Sequence, residues 1–193
     1  MQKEEVKIIY AESPTAWRTW LEKFHQSEQA VWLVFYTKAS GKPTLTWSEA
    51  VDVALCFGWI DSKKVKASTD SAHQLFSRRK PKSTWSKINK AKLAVLIEKG
   101  LLTESGYRSI EIAKQNGSWT ILDEVEELII PNDLHQELNS NPDAFVYFLS
   151  LSRSVRKAIL QWLVLARRAE TRIKRMNEIV EAASKCQRPK HLQ

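Results

Sequence analysis

The chain has 193 residues, of which 43% are hydrophobic and 27% charged, and it carries a formal net charge of +8. This composition is ordinary for a globular protein. Its longest apolar runs, residues 30–36 and 158–166, are far shorter than the roughly 20 residues of a membrane-spanning helix. Cys56 and Cys186 are too few for a disulfide framework or a cysteine metal site, and residues 1–5 do not lead into a signal peptide. We therefore expect a cytoplasmic protein.

The charge is distributed unevenly along the chain. Residues 61–92 carry ten basic and two acidic groups, residues 93–152 carry three basic and ten acidic groups, and residues 153–193 carry eleven basic and three acidic groups. The acidic block could pair with the basic blocks, or the two basic blocks could form one positive face. The sequence leaves both arrangements open.

The N-terminal part contains both helix and strand patterns. Ser13–Pro14 combines a capping side chain with proline at the first helical position and predicts a helix start. Residues 30–37 form a continuous β-favouring apolar run, which predicts a buried strand. Thr46–Glu49 fits a capping box at the start of a second helix, and Gly58 is well placed to end that helix.

The basic block begins with a predicted hairpin, whose strands lie near residues 59–68 and 72–79. From Trp85 onward the pattern is helical, with Ser83 or Thr84 as the predicted cap of the first helix. The later helices are expected over residues 103–115, 123–128, 131–138, 141–149, 152–166 and 169–184.

These elements predict an α+β fold, with a small, mostly antiparallel sheet of about three strands packed by helices and an all-helical C-terminal half. The α+β portion should cover residues 1–116 and the helical portion residues 117–193, packed together as one globular unit. Apolar patterns place four side chains in the core. These are Trp17, Trp32, Leu55 and Trp162.

Four segments are distinctive when they are taken together. They are Thr44–Asp61 (TLTWSEAVDVALCFGWID), Phe76–Asn89 (FSRRKPKSTWSKIN), Gly117–Asp123 (GSWTILD) and Ala166–Arg175 (ARRAETRIKR). With them the chain resembles the YdeI/OmpD-associated family from about residue 13 to about residue 184. The resemblance implies association with an outer-membrane porin and protection against bacteriocins, which is a phenotype rather than a chemistry. It brings no catalytic residues.

One departure from the family pattern lies beside the basic block. The family usually has F-T-P-R where this chain has Phe76–Arg79, F-S-R-R. Because the proline is missing, the family's loop geometry before Arg79 cannot be transferred.

The basic block is the clearest candidate site, because its cations are interleaved with aromatic residues. Arginine forks suit phosphate or carboxylate groups, and aromatic rings offer stacking planes. An ordinary solvated face, with Trp85 in the core, would explain the same pattern. Arg79 is the first choice for an anion contact, and Asp61 would position a cation or serve as a structural ion-pair partner. The predicted ligand-binding residues are Asp61, Phe76, Arg79, Lys80, Ser83, Trp85 and Asn89.

The leading functional hypothesis is a non-enzymatic binding protein whose basic surface engages an anionic ligand, an acidic protein or nucleic acid, with an implied role in bacteriocin or antimicrobial stress protection. The alternative is a small enzyme with a site around Trp59, Asp61, His73 and Arg79, although no nucleophile–base pair is visible. The histidines lack metal-ligand spacing, and neither a metal nor a cofactor is predicted.

A second basic feature is predicted on the last helix. Arg168, Arg172 and Arg175 share one helical face, which is either a docking stripe for an acidic partner or a solvated outer face. The oligomeric state is not indicated by the sequence.

Overall fold

The computed structural model describes residues 6–192, so residues 1–5, on which the signal-peptide expectation depends, lie outside the described part. The chain divides into two compact units, with the boundary between Trp119 and Thr120. The predicted α+β class is confirmed. The expectation that residues 1–116 and 117–193 pack as one globular unit stays a prediction. No helix in the described range is long and apolar enough to span a membrane.

The N-terminal unit contains, within the described residues, four strands and four α-helices. In chain order they are β1 Ile8–Tyr10, α1 Pro14–Phe24, β2 Ala30–Tyr36, α2 Trp47–Cys56, β3 Trp59–Lys66, β4 Ser71–Arg78, α3 Lys87–Glu98 and α4 Glu104–Gln115. The sheet has the order β1-β2-β4-β3, in which β1 is parallel to β2 and the other two pairs are antiparallel. The sheet is therefore mixed, with one strand more than predicted, because the three residues of β1 are too few to give a periodic pattern.

Local side-chain chemistry sets the predicted helix starts. Ser13 accepts a hydrogen bond from the Ala16 amide at 3.2 Å, and Thr46 and Glu49 form the full capping box of α2. Helix α3 is capped by Ser86 rather than by Ser83 or Thr84, so the predicted cap is wrong. The reason is that the chain still turns at Lys80–Ser83, where the Ser83 amide donates to the Lys80 carbonyl at 2.9 Å, so α3 begins only at Lys87 and Ser86 Oγ accepts from the Asn89 amide at 3.2 Å.

The core of the N-terminal unit lies between the sheet and helices α1 and α2. Trp17 and Leu55 are fully buried, as predicted. Trp32, predicted to be mostly buried, is partly buried, because side chains alternate along β2. The side chains of its neighbours Val31 and Leu33 lie on the side of the strand that faces the core.

The C-terminal unit is helical throughout the described residues. Its helices are α5 Asp123–Glu126, α6 Asn132–Asn139, α7 Pro142–Ser150, α8 Arg153–Val164 and α9 Ala169–Ser184. The buried centre includes Leu134, Phe148 and Leu163. Trp162, predicted to be mostly buried, is partly buried and packs against this core, with the His191 ring stacked on it at 3.9 Å.

Charge pairing within the C-terminal unit joins part of the acidic block to the last basic block. Lys157 and Glu126 form an ion pair at 2.6 Å. Arg172 donates two hydrogen bonds to the Asp133 carboxylate, at 2.7 and 2.9 Å, and Arg175 donates to the Trp162 carbonyl. Two of the three arginines on the proposed docking stripe are therefore engaged inside their own unit.

The Asp133–Arg172 pair predicts a pH dependence. The Arg172 hydrogen bonds lower the pKa of Asp133 from its ordinary value. Because the folded-state pKa is the lower one, the pair's contribution is complete above the unfolded value, about 3.9, and is lost as the pH falls through the folded value. We expect Arg172→Gln to lower the free energy of unfolding at pH 7 and to have a smaller effect at pH 3, measured by urea denaturation. An equal loss at both pH values would contradict this role.

Candidate functional site

A cavity of about 470 Å³ lies in the N-terminal unit, next to the C-terminal end of β4. Its walls come from the end of α1, the turn between α2 and β3, the segment after β4, and α4. We call it the basic pocket. Its lining residues are His25, Gln26, Phe57, Gly58, Arg78, Arg79, Lys80, Pro81, Trp85, Ser105, Arg108, Ser109 and Ile112. None of these lining residues, all in the described range, is Asp or Glu, so the pocket is electropositive.

Two glycines allow α4 to approach the turn after α2 closely. Gly58 has a φ of +70°, and a Cβ atom there would lie 2.9 Å from the Ser105 carbonyl oxygen. A Cβ atom on Gly106 would lie 2.4 Å from the Cys56 carbonyl oxygen. The Thr103 hydroxyl donates to that same carbonyl at 2.8 Å. These contacts hold the first turns of α4 in the pocket wall.

Arg79 is held in the pocket wall by three contacts. Its amide donates to the Gly58 carbonyl at 2.9 Å, and its Nη2 donates to the Thr84 carbonyl at 2.8 Å. The guanidinium carbon lies 3.5 Å from the centre of the Trp85 ring. Its Nε–H is buried and has no hydrogen-bond acceptor among the described residues.

Electrostatics leave Arg79 charged at neutral pH. Burial lowers the pKa of Arg79 to about 10, and the Asp61 carboxylate raises it in part. The side chain is therefore a cation whose hydration has been reduced and whose charge is not neutralised by an ion pair in the described structure.

The other cations of the pocket differ in how they are used. Arg78 donates to the carbonyls of Gln26 and Glu28, which ties the loop after α1 to β4. Lys80 and Arg108 are exposed, and the side chain of neither makes a hydrogen bond or ion pair with another described residue. The charge available to a ligand is thus that of Arg79, Lys80 and Arg108.

A histidine–serine pair also lines the basic pocket. His25 Nδ1 lies 2.8 Å from the Leu21 carbonyl oxygen, and His25 Nε2 lies 3.0 Å from Ser105 Oγ. A carbonyl oxygen can only accept, so in the neutral imidazole Nδ1 carries the proton. Nε2 is then the acceptor, and the Ser105 hydroxyl donates to it.

Of the predicted site residues, the structure brings Arg79, Lys80 and Trp85 together in the basic pocket. Trp85 is almost fully buried, and its ring packs against Arg79 and, at a centroid distance of 5.2 Å, against Trp119. Phe76 is fully buried 5.5 Å from Trp17, which corrects its predicted place on a ligand surface. The reason is that Phe76 lies on the face of β4 that packs against the helices.

The remaining predicted residues lie outside the pocket lining. They are Asp61, Ser83 and Asn89. Asp61 Oδ2 accepts hydrogen bonds from Trp47 Nε1 at 2.9 Å and from Gln74. It acts on Arg79 through its charge and forms no ion pair with it among the described contacts.

The alternative enzyme site does not assemble. Trp59 is fully buried in the core. Asp61 is paired with Phe76 across the sheet, and His73 lies three residues before Phe76, so His73 points to the opposite face from Asp61. Those side chains cannot act together on one substrate.

Comparison with known families covers most of the chain. A family model described as "Domain of unknown function (DUF8412)" matches residues 9–109, just over half of the chain. The chain belongs to the DUF8412 family. A second model, described as "Bacteriocin-protection, YdeI or OmpD-Associated", matches residues 127–185, which confirms the resemblance to that family over the part containing Ala166–Arg175. No curated protein and no solved structure matches the chain.

Every charged residue of the basic pocket lies inside the DUF8412 match. Sequence reasoning missed His25, Ser105 and Arg108 there, because they come from separate elements and have no motif spacing. One pattern pointed towards them. Gly106 near the start of a predicted helix indicates close backbone packing.

Proposed function

We propose that this DUF8412 protein binds an anionic ligand in the basic pocket, through a phosphate or carboxylate group. The observation that carries the proposal is the buried Nε–H of Arg79, which has no acceptor among the described residues. Leaving a buried donor unpaired costs about 1–3 kcal/mol, and more when the group is charged. Such groups are uncommon in folded proteins, and an oxyanion in the pocket would supply the missing acceptor.

The setting of Arg79 favours binding. Its contacts with Trp85 and Thr84 already hold the guanidinium plane, so little side-chain freedom is lost when a ligand binds. Lys80 and Arg108 add charge at the same pocket, and no lining carboxylate among the described residues competes with the ligand. Arginine forks pair with phosphate and carboxylate oxygens through charge-assisted hydrogen bonds.

The dimensions favour a small molecule over a macromolecule. The pocket volume of about 470 Å³ falls within the range of small-ligand sites, about 300–1,000 Å³. Phe57 and Ile112 add apolar wall to the cationic one. Nucleic acid, by contrast, would need several spaced phosphate contacts, and its affinity would fall steeply with salt. An acidic protein partner is the remaining form of the same hypothesis.

The biological role belongs to this proposal as well. The family model that matches residues 127–185 is described as a bacteriocin-protection model. We propose a cytoplasmic role in such protection or in antimicrobial stress, in which the basic pocket recognises the anionic partner.

Binding of inorganic phosphate and pyrophosphate, measured by calorimetry at fixed ionic strength, tests the proposal. We expect Arg79→Ala to weaken the tighter of the two by roughly 1.5–3 kcal/mol, which is about 10- to 150-fold. Arg167→Ala is the matched control, because Arg167 is exposed, lies in the other unit and removes the same charge. If phosphate affinity fell equally in both variants, the loss would be due to net charge alone. An unchanged affinity in Arg79→Ala would contradict the proposal.

A melting curve of the same Arg79→Ala protein separates binding from folding. The Nη2 bond to Thr84 is lost, but so is the cost of burying an unpaired charge, and we expect these effects to offset each other largely. A large loss of stability with unchanged phosphate affinity would identify Arg79 as a structural residue.

A further inference from the structure

We propose that Ser105 and His25 are a nucleophile and its general base, and that they hydrolyse a phosphate monoester held by Arg79 and Arg108. This inference rests on the proposed function, because the anion that the basic pocket binds is here the reacting group. It goes beyond that function by assigning chemistry to a pair of residues that binding alone does not require.

The geometry of the pair is that of an activated serine. The Ser105 hydroxyl donates to His25 Nε2 at 3.0 Å, within the distance needed for proton transfer, and the Leu21 carbonyl fixes the tautomer from the other side at 2.8 Å. The His25 ring is also packed against Phe57, at a centroid distance of 5.1 Å. Both the tautomer and the orientation of the His25 ring are therefore fixed.

The surroundings of Ser105 favour negative charge on its oxygen. Ser105 lies in the first turn of the 12-residue helix α4, where the helix dipole is positive. Arg108 follows three residues later, on the same helical face. Arg79 lines the same cavity, and its Nε–H is buried and unpaired among the described residues. Two cations are therefore placed to bind the equatorial oxygens of a phosphoryl group beside the serine.

A purely structural hydrogen bond would explain the pair less well. Helix α4 is already held to the end of α2 by the Thr103–Cys56 bond and by the backbone contact at Gly106. A Ser105–His25 hydrogen bond that only held the fold together would not need to line a cavity. Here both residues line the basic pocket, and both are partly exposed.

The proposed reaction has two balanced steps. Ser105 Oγ attacks phosphorus and forms a P–O bond, while its proton passes to His25 Nε2 and the bond from phosphorus to the ester oxygen breaks. His25 then returns the proton to the leaving alcohol. In the second step water attacks the phosphoserine, its proton goes to His25 Nε2, and the P–Oγ bond breaks as Ser105 regains a proton and inorganic phosphate leaves.

Turnover of p-nitrophenyl phosphate in the presence of EDTA tests the pair, with phosphate binding measured on the same proteins. We expect Ser105→Ala to reduce turnover to the rate without protein and His25→Gln to reduce it by about 10²–10⁴-fold, with phosphate affinity changed less than threefold in Ser105→Ala. Ser27→Ala is the matched control, because Ser27 is exposed in the loop after α1 and does not line the pocket. It should retain wild-type turnover.

The outcomes separate this inference from the proposed function. Turnover that is absent from the wild type, that survives in Ser105→Ala or that disappears with EDTA would overturn the assignment, while intact phosphate binding would leave the proposed function standing. A wild-type protein that does not bind phosphate would contradict both this inference and the proposed function. A wild-type protein mixed briefly with the substrate and quenched in acid should carry one phosphoryl group on the peptide containing Ser105, as read by mass spectrometry.

Discussion

Trp17→Ala is expected to lower the free energy of unfolding by about 3–5 kcal/mol. The Trp17 side chain is fully buried. Its ring lies 5.3 Å from that of Trp20 and 5.5 Å from that of Phe76, and its Nε1 donates to the Ala50 carbonyl at 3.1 Å. The substitution therefore opens a large cavity and also removes the donor from a buried acceptor.

Urea denaturation measures this loss, with Trp47→Ala as the matched control. Trp47 is 51% exposed, and its side chain makes one hydrogen bond among the described residues, to Asp61. We expect its removal to cost about 1 kcal/mol. Similar losses in the two variants would show that the core is not centred on Trp17.

Gly106→Ala should destabilise the N-terminal unit by about 3 kcal/mol, at the upper end of the usual cost of overpacking. The new Cβ atom would lie 2.4 Å from the Cys56 carbonyl oxygen and 3.0 Å from the Cys56 carbonyl carbon. Both are backbone atoms, so no side-chain rotation relieves the clash. Alanine gains about 1 kcal/mol in helix propensity, which is too little to offset it.

The control for this prediction is Gly100→Ala. Nothing lies within 4 Å of a Cβ atom there, but the φ of +66° is unfavourable for alanine. That strain should cost about 1–2 kcal/mol. The loss of stability in thermal unfolding should be larger for Gly106→Ala than for Gly100→Ala. An equal or smaller loss would show that α4 does not pack against the backbone of α2 in the wall of the basic pocket. Because α4 carries Ser105 and Arg108, the clash should also weaken phosphate binding.

Local chemistry explains which parts of the fold could be predicted from the sequence. The cap at Ser13, the capping box at Thr46–Glu49 and the left-handed Gly58 act within a few residues, so their patterns are complete in the sequence. Strand β1 has only three residues and depends on its pairing with β2. The half-burial of Trp32 depends on which face of the sheet the helices cover, and a continuous apolar run does not carry that information.

The candidate site was predictable only in part, for a similar reason. Arg79 and Lys80 stand out because the cations are concentrated along the chain. His25 and Ser105 are 80 residues apart and meet only because α1 and α4 pack at the same turn. Phe76 has an aromatic ring of the kind on which a ligand could stack, yet the register of β4 places this ring in the core.

The Arg79 Nε–H resonance in a ¹⁵N-resolved NMR spectrum tests the central claim most directly. Because this group is buried, its proton should exchange slowly enough to be seen at neutral pH, and its loss in Arg79→Lys assigns it. Titration with phosphate, against chloride at matched ionic strength, should shift the resonance saturably as the Nε–H gains an oxyanion acceptor. A resonance that stays in place while phosphate binds elsewhere on the protein would contradict the account.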